Sequence, residues 1–236
     1  MLYRSCVGKL IYMLPDRPDL IYSVKEAARY LRDPDHGAIK KVKRIIRYLN
    51  GMKNISQTHV IGKKMPDTLV VYTDADFAGC KETRRSTTSV ISMVGNFVLS
   101  AISKTQPIIA MSSCESELYA LDAGISEALN IQQIYSELDI AMSITLRCDN
   151  SACVAVAHRK GLGKMKHIEI RYLRAQSMVA EKKVQIIKVE SAKNLADIGT
   201  KYLPRKVHEY MFEKLGMIND DDDVNSDEYS TSSSTE

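Results

Sequence analysis

The chain contains no tryptophan and only three phenylalanines among its 236 residues, so large stacking platforms are few. Its cysteines are few, odd in number and scattered: Cys6, Cys80, Cys114, Cys148 and Cys153. No two have C-x-x-C spacing, and Cys148 and Cys153 stand too isolated to suggest a zinc site. Reduced, mostly buried thiols of an intracellular protein are the expectation, rather than a disulfide framework. No apolar run approaches the roughly 18 residues needed to span a bilayer. The N-terminus also lacks the apolar stretch of a signal peptide, so the reading is of a soluble, non-secreted chain without a membrane partner.

What is present is charge, unevenly spread. The net charge of +4 combines a basic front, a near-neutral middle and an acidic end. Residues 1–66 carry 14 Lys/Arg against 5 Asp/Glu, while residues 219–236 carry 7 acids and no Lys/Arg. A basic front favours a polyanionic partner, because each neutralised phosphate releases counterions. A solvated helix face accounts for the same charge equally well.

Residues 1–53 read as helical in about three pieces, broken at Pro15, Pro18 and Pro34. The last piece, His36 to Asn50, puts Ile39, Val42, Ile45, Ile46 and Leu49 on one stripe, with Asp35 as start signal and Gly51 as stop. Residues 54–67 look like a linker. Strands are predicted at Leu69–Asp74, Ser86–Val94 and Asn96–Ser103, the last two joined by a tight turn at Gly95-Asn96. The period then turns helical from Ser112 to Leu138. A strand at Ile144–Cys148, helices at 150–158 and 166–182, a strand at Val184–Val189 and a final helical stretch from Asp197 follow. Residues 217–236 are acidic, then Ser/Thr-rich, and are expected to be disordered. The order implies an α/β domain over residues 68–216 with a mixed sheet: an antiparallel meander first, then parallel additions joined by helices.

Four carboxylates stand in separate short motifs of this domain: Asp74 in Val-Val-Tyr-Thr-Asp, Glu117 in Ser-Cys-Glu-Ser-Glu-Leu-Tyr, Asp149 in Leu-Arg-Cys-Asp-Asn and Asp197 in Asn-Leu-Ala-Asp. Asp74 and Asp149 stand where β-branched runs stop, at predicted strand ends. Like charges delivered to one sheet end need cations between them. Oxygen-only ligands suit Mg²⁺ or Mn²⁺, and a two-cation carboxylate cluster hydrolyses phosphodiesters. Taken singly, an Asp at a strand end is more often a helix cap. The near neighbours Asp76 and Glu115 are assigned structural roles or roles supporting the ligands; for Asp76 the reason is that Ala75 to Gly79 reads as the exit of the first strand.

These words, in this order, resemble the ribonuclease H domain of copia-type retrotransposons. The likeness is carried by Thr73-Asp74-Ala75-Asp76-Phe77-Ala78-Gly79, Arg84-Arg85-Ser86-Thr87-Thr88, Ser112-Ser113-Cys114-Glu115-Ser116-Glu117, Cys148-Asp149-Asn150-Ser151-Ala152, Lys166-His167-Ile168-Glu169-Ile170 and Asn194-Leu195-Ala196-Asp197-Ile198-Gly199-Thr200-Lys201. Upstream, Tyr3-Arg4-Ser5-Cys6-Val7-Gly8-Lys9-Leu10, Arg17-Pro18-Asp19 and Arg47-Tyr48-Leu49-Asn50-Gly51 are similar to the end of that family's reverse transcriptase.

The resemblance implies the C-terminal part of a Pol polyprotein. Residues 1–53 would be a thumb or connection remnant, followed by a ribonuclease H-like five-stranded mixed sheet flanked by helices. It implies a metal-dependent endonuclease for the RNA strand of RNA–DNA hybrids. Asp74, Glu117, Asp149 and Asp197 would hold two Mg²⁺ ions, with Mn²⁺ able to substitute. Its partners would be the hybrid and the polymerase part of the same polyprotein.

Arg84, Arg85, Ser86 and Thr87 are expected to grip phosphates, with a solvated turn as the other reading, and Asn150, Lys166 and His167 are further nucleic-acid candidates; for His167 a structural role stands beside contact. The implied location is cytoplasmic, in virus-like particles, with passage into the nucleus also open. The polymerase's own Tyr-x-Asp-Asp word is absent, so DNA synthesis by this chain alone is not expected. The pattern also departs from the family in places. Phe77, and a position near Ala101, stand where the family usually has Trp, and the loop from Glu190 to Asn194 lacks a His. A catalytically silent nucleic-acid-binding or assembly fragment of a decayed or co-opted element is the competing reading. A third is a relict whose helical stripe of Ile11, Leu14, Leu20, Ile21 and Val24 has lost its partner surface.

Overall fold

The computed structural model describes residues 2–57, 66–160 and 173–219. Its N-terminal part holds three helices, α1 (Leu2–Tyr12), α2 (Ile21–Ala28) and α3 (His36–Gly51), with a 3-10 turn at Pro18–Leu20 leading into α2. Pro18 starts that turn where its missing N–H has no intrahelical partner to lose. Asp35 caps α3, its carboxylate accepting the Ala38 N–H at 2.6 Å. The three helices close a small core of Val7, Leu10, Leu20, Val24, Ala27, Val42 and Ile45. On α3 the buried line is Ala38, Val42 and Ile45, whereas Ile39 and Ile46 fall on its exposed margin.

The expectation of an uncovered helical stripe is corrected here. Leu20, Ile21 and Val24 are buried, and only Ile11 of the stripe is largely exposed. The cover comes partly from the sheet domain: the Lys25 ammonium donates to Thr87 Oγ1 at 2.8 Å, and the Tyr22 and Tyr202 rings meet edge-on at 4.9 Å.

The second part is the expected α/β domain, a mixed five-stranded sheet flanked by helices. Strands β2 (Thr68–Asp76), β3 (Thr87–Val94) and β4 (Phe97–Thr105) form an antiparallel meander. Gly95 turns the chain between β3 and β4 at φ +62°, a conformation glycine adopts without a steric penalty. Helix α4 (Ser113–Glu137) then crosses to β5 (Ser143–Cys148), which lies parallel to β2. Helices α5 (Ser151–His158) and α6 (Leu173–Ala180) lead to β6 (Gln185–Lys188), parallel to β5. The sheet order is β4-β3-β2-β5-β6.

Strand alternation sends Leu69 and Val71 into the core under α4. Tyr72 and Ile91 point to the opposite face, against the 3-10 helix Leu195–Gly199 and α7 (Arg205–Lys214).

Two observations differ from the sequence reading. Ile55–Gln57 (β1), within the presumed linker, pairs antiparallel with Met217–Asn219 (β7), at the start of the presumed tail. In addition, β2 does not end at Asp74 but continues to Asp76, because Asp76 and Thr87 still pair across the ladder.

A carboxylate cluster at the sheet end

The central strand β2 carries Asp74 at its C-terminal end, opposite Ser89 of β3. Its parallel neighbour β5 ends at Cys148, so Asp149 leaves the sheet beside it, and Thr73 pairs with Cys148. Glu117 projects from the first turns of α4, whose start is capped by Ser112 accepting the Glu115 N–H. Gly124 lets α4 approach closely: a Cβ there would lie 2.5 Å from Thr73 Cγ2. Asp197 arrives on the 3-10 helix that Asn194 caps. Asn194 also donates from Nδ2 to the Thr73 carbonyl at 3.0 Å, pinning this helix to the central strand. The four sequence-predicted carboxylates are thus brought to one place from four elements.

The site is largely buried and crowded with carboxyl groups. Asp74, Glu117 and Asp197 are buried, and Asp149 is half-buried. Burial first, and the Asp197 carboxylate second, push Asp74 up to about 7. They do so against the Thr200 hydroxyl, which donates to Asp74 Oδ2 at 2.6 Å. Burial, then Cys148 and the carboxylates Asp74 and Asp149, push Glu117 up to about 10. The Lys201 ammonium sits 2.8 Å from Asp197 Oδ2 and is held protonated by it, although burial works the other way. One ammonium does not balance four carboxylates.

This donor set fits hard divalent cations: carboxylate oxygens converge where their own repulsion favours protonation, which a bound cation would reverse. Ligand atoms of Glu117, Cys148 and Asp149 lie within 4.8 Å of one another. The sequence reading missed Cys148 as a member of this group, along with Asn194, Thr200 and Lys201 as supports. The signal for the last three was the quoted word from Asn194 to Lys201 itself, in which only Asp197 had been given a role.

The other predicted contacts divide. Arg84 and Arg85 are exposed, and Arg84 adopts φ 55° in the loop before β3. Ser86 and Thr87 are buried and already engaged: Ser86 Oγ accepts the Ala78 N–H at 3.0 Å, and Thr87 Oγ1 accepts from Lys25. Both hydroxyls are therefore already engaged, Ser86 by its own loop and Thr87 by a lysine more than sixty residues upstream. Asn150 uses its side-chain oxygen to cap α5, accepting the Cys153 N–H at 3.0 Å. Lys166 and His167 lie outside the described residues. Glu115 is structural as expected, its carboxylate accepting the Met111 N–H at 2.7 Å. Asp76 is half-buried beside the cluster, and burial raises its pKa.

No family model matches the chain. Among curated proteins it is similar to the retrovirus-related Pol polyprotein from transposon TNT 1-94 of Nicotiana tabacum. The identity is 31% over 218 residues, covering 91% of this chain and 16% of that protein. The Pol polyprotein from transposon RE1 of Arabidopsis thaliana is 33% identical over 220 residues, covering 91% of this chain and 15% of that protein. The chain therefore spans about a sixth of these relatives. Among solved structures, the N-terminal RNase H domain of a Mycobacterium tuberculosis protein, fused to maltose binding protein, is similar at TM-score 0.44. That likeness has 14% identity and covers 62% of this chain and 96% of the other.

Proposed function

We propose that this chain, similar over 91% of its length to the Pol polyproteins of plant retrotransposons, carries a ribonuclease H-type domain that hydrolyses the RNA strand of RNA–DNA hybrids. One observation carries the reading. Asp74 and Glu117 are buried, pushed toward protonation by burial and by their neighbours, and short of cationic partners at the end of the central strand. A structural role would call for a paired acid; this arrangement makes sense as a site built to be completed by cations.

Asp74, Glu117, Asp149 and Asp197 would hold two Mg²⁺ ions, which when bound supply an activated water and offset the charge developing on the leaving oxygen. The chain's own residues prepare that site. Thr200 fixes the orientation of the Asp74 carboxylate, and Asn194 holds the Asp197-bearing helix against the central strand. The hybrid would be recognised by its backbone and 2′-hydroxyls. Arg84 and Arg85, exposed beside the cluster-bearing strands, are the arginines for its phosphates. The polymerase part of the polyprotein is the proposed partner in the particle, in the cytoplasm.

The test is incubation of the purified chain with a labelled RNA–DNA hybrid and Mg²⁺, beside Asp74→Asn and an EDTA control. Cleavage of the RNA strand, lost in both controls, is the expected result. A folded protein that cuts with neither Mg²⁺ nor Mn²⁺ would leave a binding module.

A further inference from the structure

A cleft of about 1290 Å³ runs between α2–α3 on one side and the segment from Ile198 through α7 to β7 on the other. It is distinct from the carboxylate cluster but adjoins it, since Lys201 both lines the cleft and contacts Asp197. Its acids are already committed: Asp19 to Arg17, Glu209 to Arg205, and Glu213 to Lys214. Lys40, Arg44 and Arg47 are not matched by any of these acids. All three are exposed along one side of α3, with no ion pair among the described residues. The cleft is also aromatic. Tyr202 is 52% exposed, with the Arg44 guanidinium 5.7 Å from its ring centre. The His208 ring lies 5.8 Å from that of Tyr48.

Free cations on one wall and accessible rings within suit a flexible polyanion with exposed π-faces. A duplex offers phosphates but hides its base faces in the stack. Unpaired nucleotides offer both. We propose that this cleft binds single-stranded nucleic acid, the unpaired strand running to or from the hybrid at the carboxylates. The proposal rests on the function proposed above for the direction it assigns to the strand, but the binding itself does not require cleavage. It gives the N-terminal helices a task of their own: they supply the basic wall.

The experiment is fluorescence anisotropy of the full chain with a labelled single-stranded RNA of about ten nucleotides, in EDTA and over a salt series. EDTA removes cleavage from the reading, so a failure here leaves hybrid hydrolysis standing, and a failure of hydrolysis leaves the cleft standing. The triple variant Lys40→Gln/Arg44→Gln/Arg47→Gln should bind roughly tenfold or more weakly at about 0.1 M salt. Three lost phosphate contacts should also reduce the log–log salt slope by about 2. Tyr202→Ala should weaken binding by about tenfold through lost stacking, with the slope unchanged. Lys43→Gln, on the same helix but outside the cleft, should bind as the parent chain does. Circular dichroism melting confirms that each variant is folded, and Arg44→Gln alone provides a milder second step of the same sign. The proposal is overturned by a folded triple variant that binds like the parent, or by an equal loss in Lys43→Gln. Displacement of the RNA by a polyaspartate peptide as readily as by unlabelled RNA would also overturn it, making the cleft a site for acidic polypeptide.

Discussion

Two acidic sites in this molecule are buried to the same depth and treated in opposite ways. Asp19, between α1 and α2, is 6% exposed; Asp74, at the end of the central strand, is 5% exposed. Asp19 is fully answered. Arg17 donates to its two oxygens from Nε and Nη2, both at 2.9 Å, and the Tyr48 hydroxyl adds a third bond at 2.8 Å. The Tyr48 hydroxyl is correspondingly hard to ionise, through burial first and the neighbouring Asp19 second. Asp74 has one hydroxyl from Thr200 and faces other carboxylates. The first site ties the helices together, and the second leaves its acid short of partners, as the proposed cation site would require. Burial of an acid therefore says little about its role; what the surroundings offer it decides.

The sharpest way to break the comparison is Asp74→Asn. Losing several kcal/mol of charge stabilisation corresponds to about a thousandfold slower hybrid cleavage. The same substitution should raise the melting temperature in EDTA by about a few degrees, since it removes a repulsive carboxylate. Cleavage rate and a metal-free thermal melt read the two effects, and a lowered melt would erase the contrast.

Asp19→Asn should do the reverse. Arg17 would be left buried without its counter-charge, at a cost of about 3–5 kcal/mol. The melt should fall by about 10 °C while the cleavage rate per folded molecule is unchanged. Denaturation curves paired with a kinetic assay decide it.

The pH response sharpens the same point. Asp74 and Glu117 titrate near 4 when unfolded but at about 7 and about 10 when folded, so the folded state holds protons that the unfolded chain has released. Metal-free stability should thus fall as pH rises from about 4 toward 7, and further as pH approaches the value for Glu117. Saturating Mg²⁺ should flatten the curve above pH 7. A metal-free melt that climbs between pH 5 and 8 would contradict the assignment.

The smallest effect belongs to Tyr48→Phe, which removes one of the three bonds to Asp19. It should cost about 1–2 kcal/mol with no change in cleavage, read from urea midpoints.

How much of this could be read from the sequence follows from how local each signal is. Asp35, Ser112 and Asn150 were legible as helix starts because a cap depends on its next three residues. The meander was legible because alternation and Gly95-Asn96 act within a few residues. The four carboxylates were found together because each stands in its own short motif at or near the end of an element.

What escaped depends on distant partners. Thr87 looks like an exposed turn residue until Lys25 of α2 is laid over it. The extension of β2 through Asp76 needs Thr87 as its partner, and β1 exists only because Met217–Asn219 returns to it. Cys148 joins the acidic group only because α4 and β5 meet there. No spacing rule links Glu117 to Cys148 across so many residues.

The β1–β7 pair has a mechanical consequence. It is antiparallel, with Ile55 opposite Asn219 and Gln57 opposite Met217, so the chain enters and leaves it at the same end. Tension applied through residues 54 and 220 would load its hydrogen bonds one after another rather than all at once. The ladder is therefore a zipper, easily peeled by a pull along the chain.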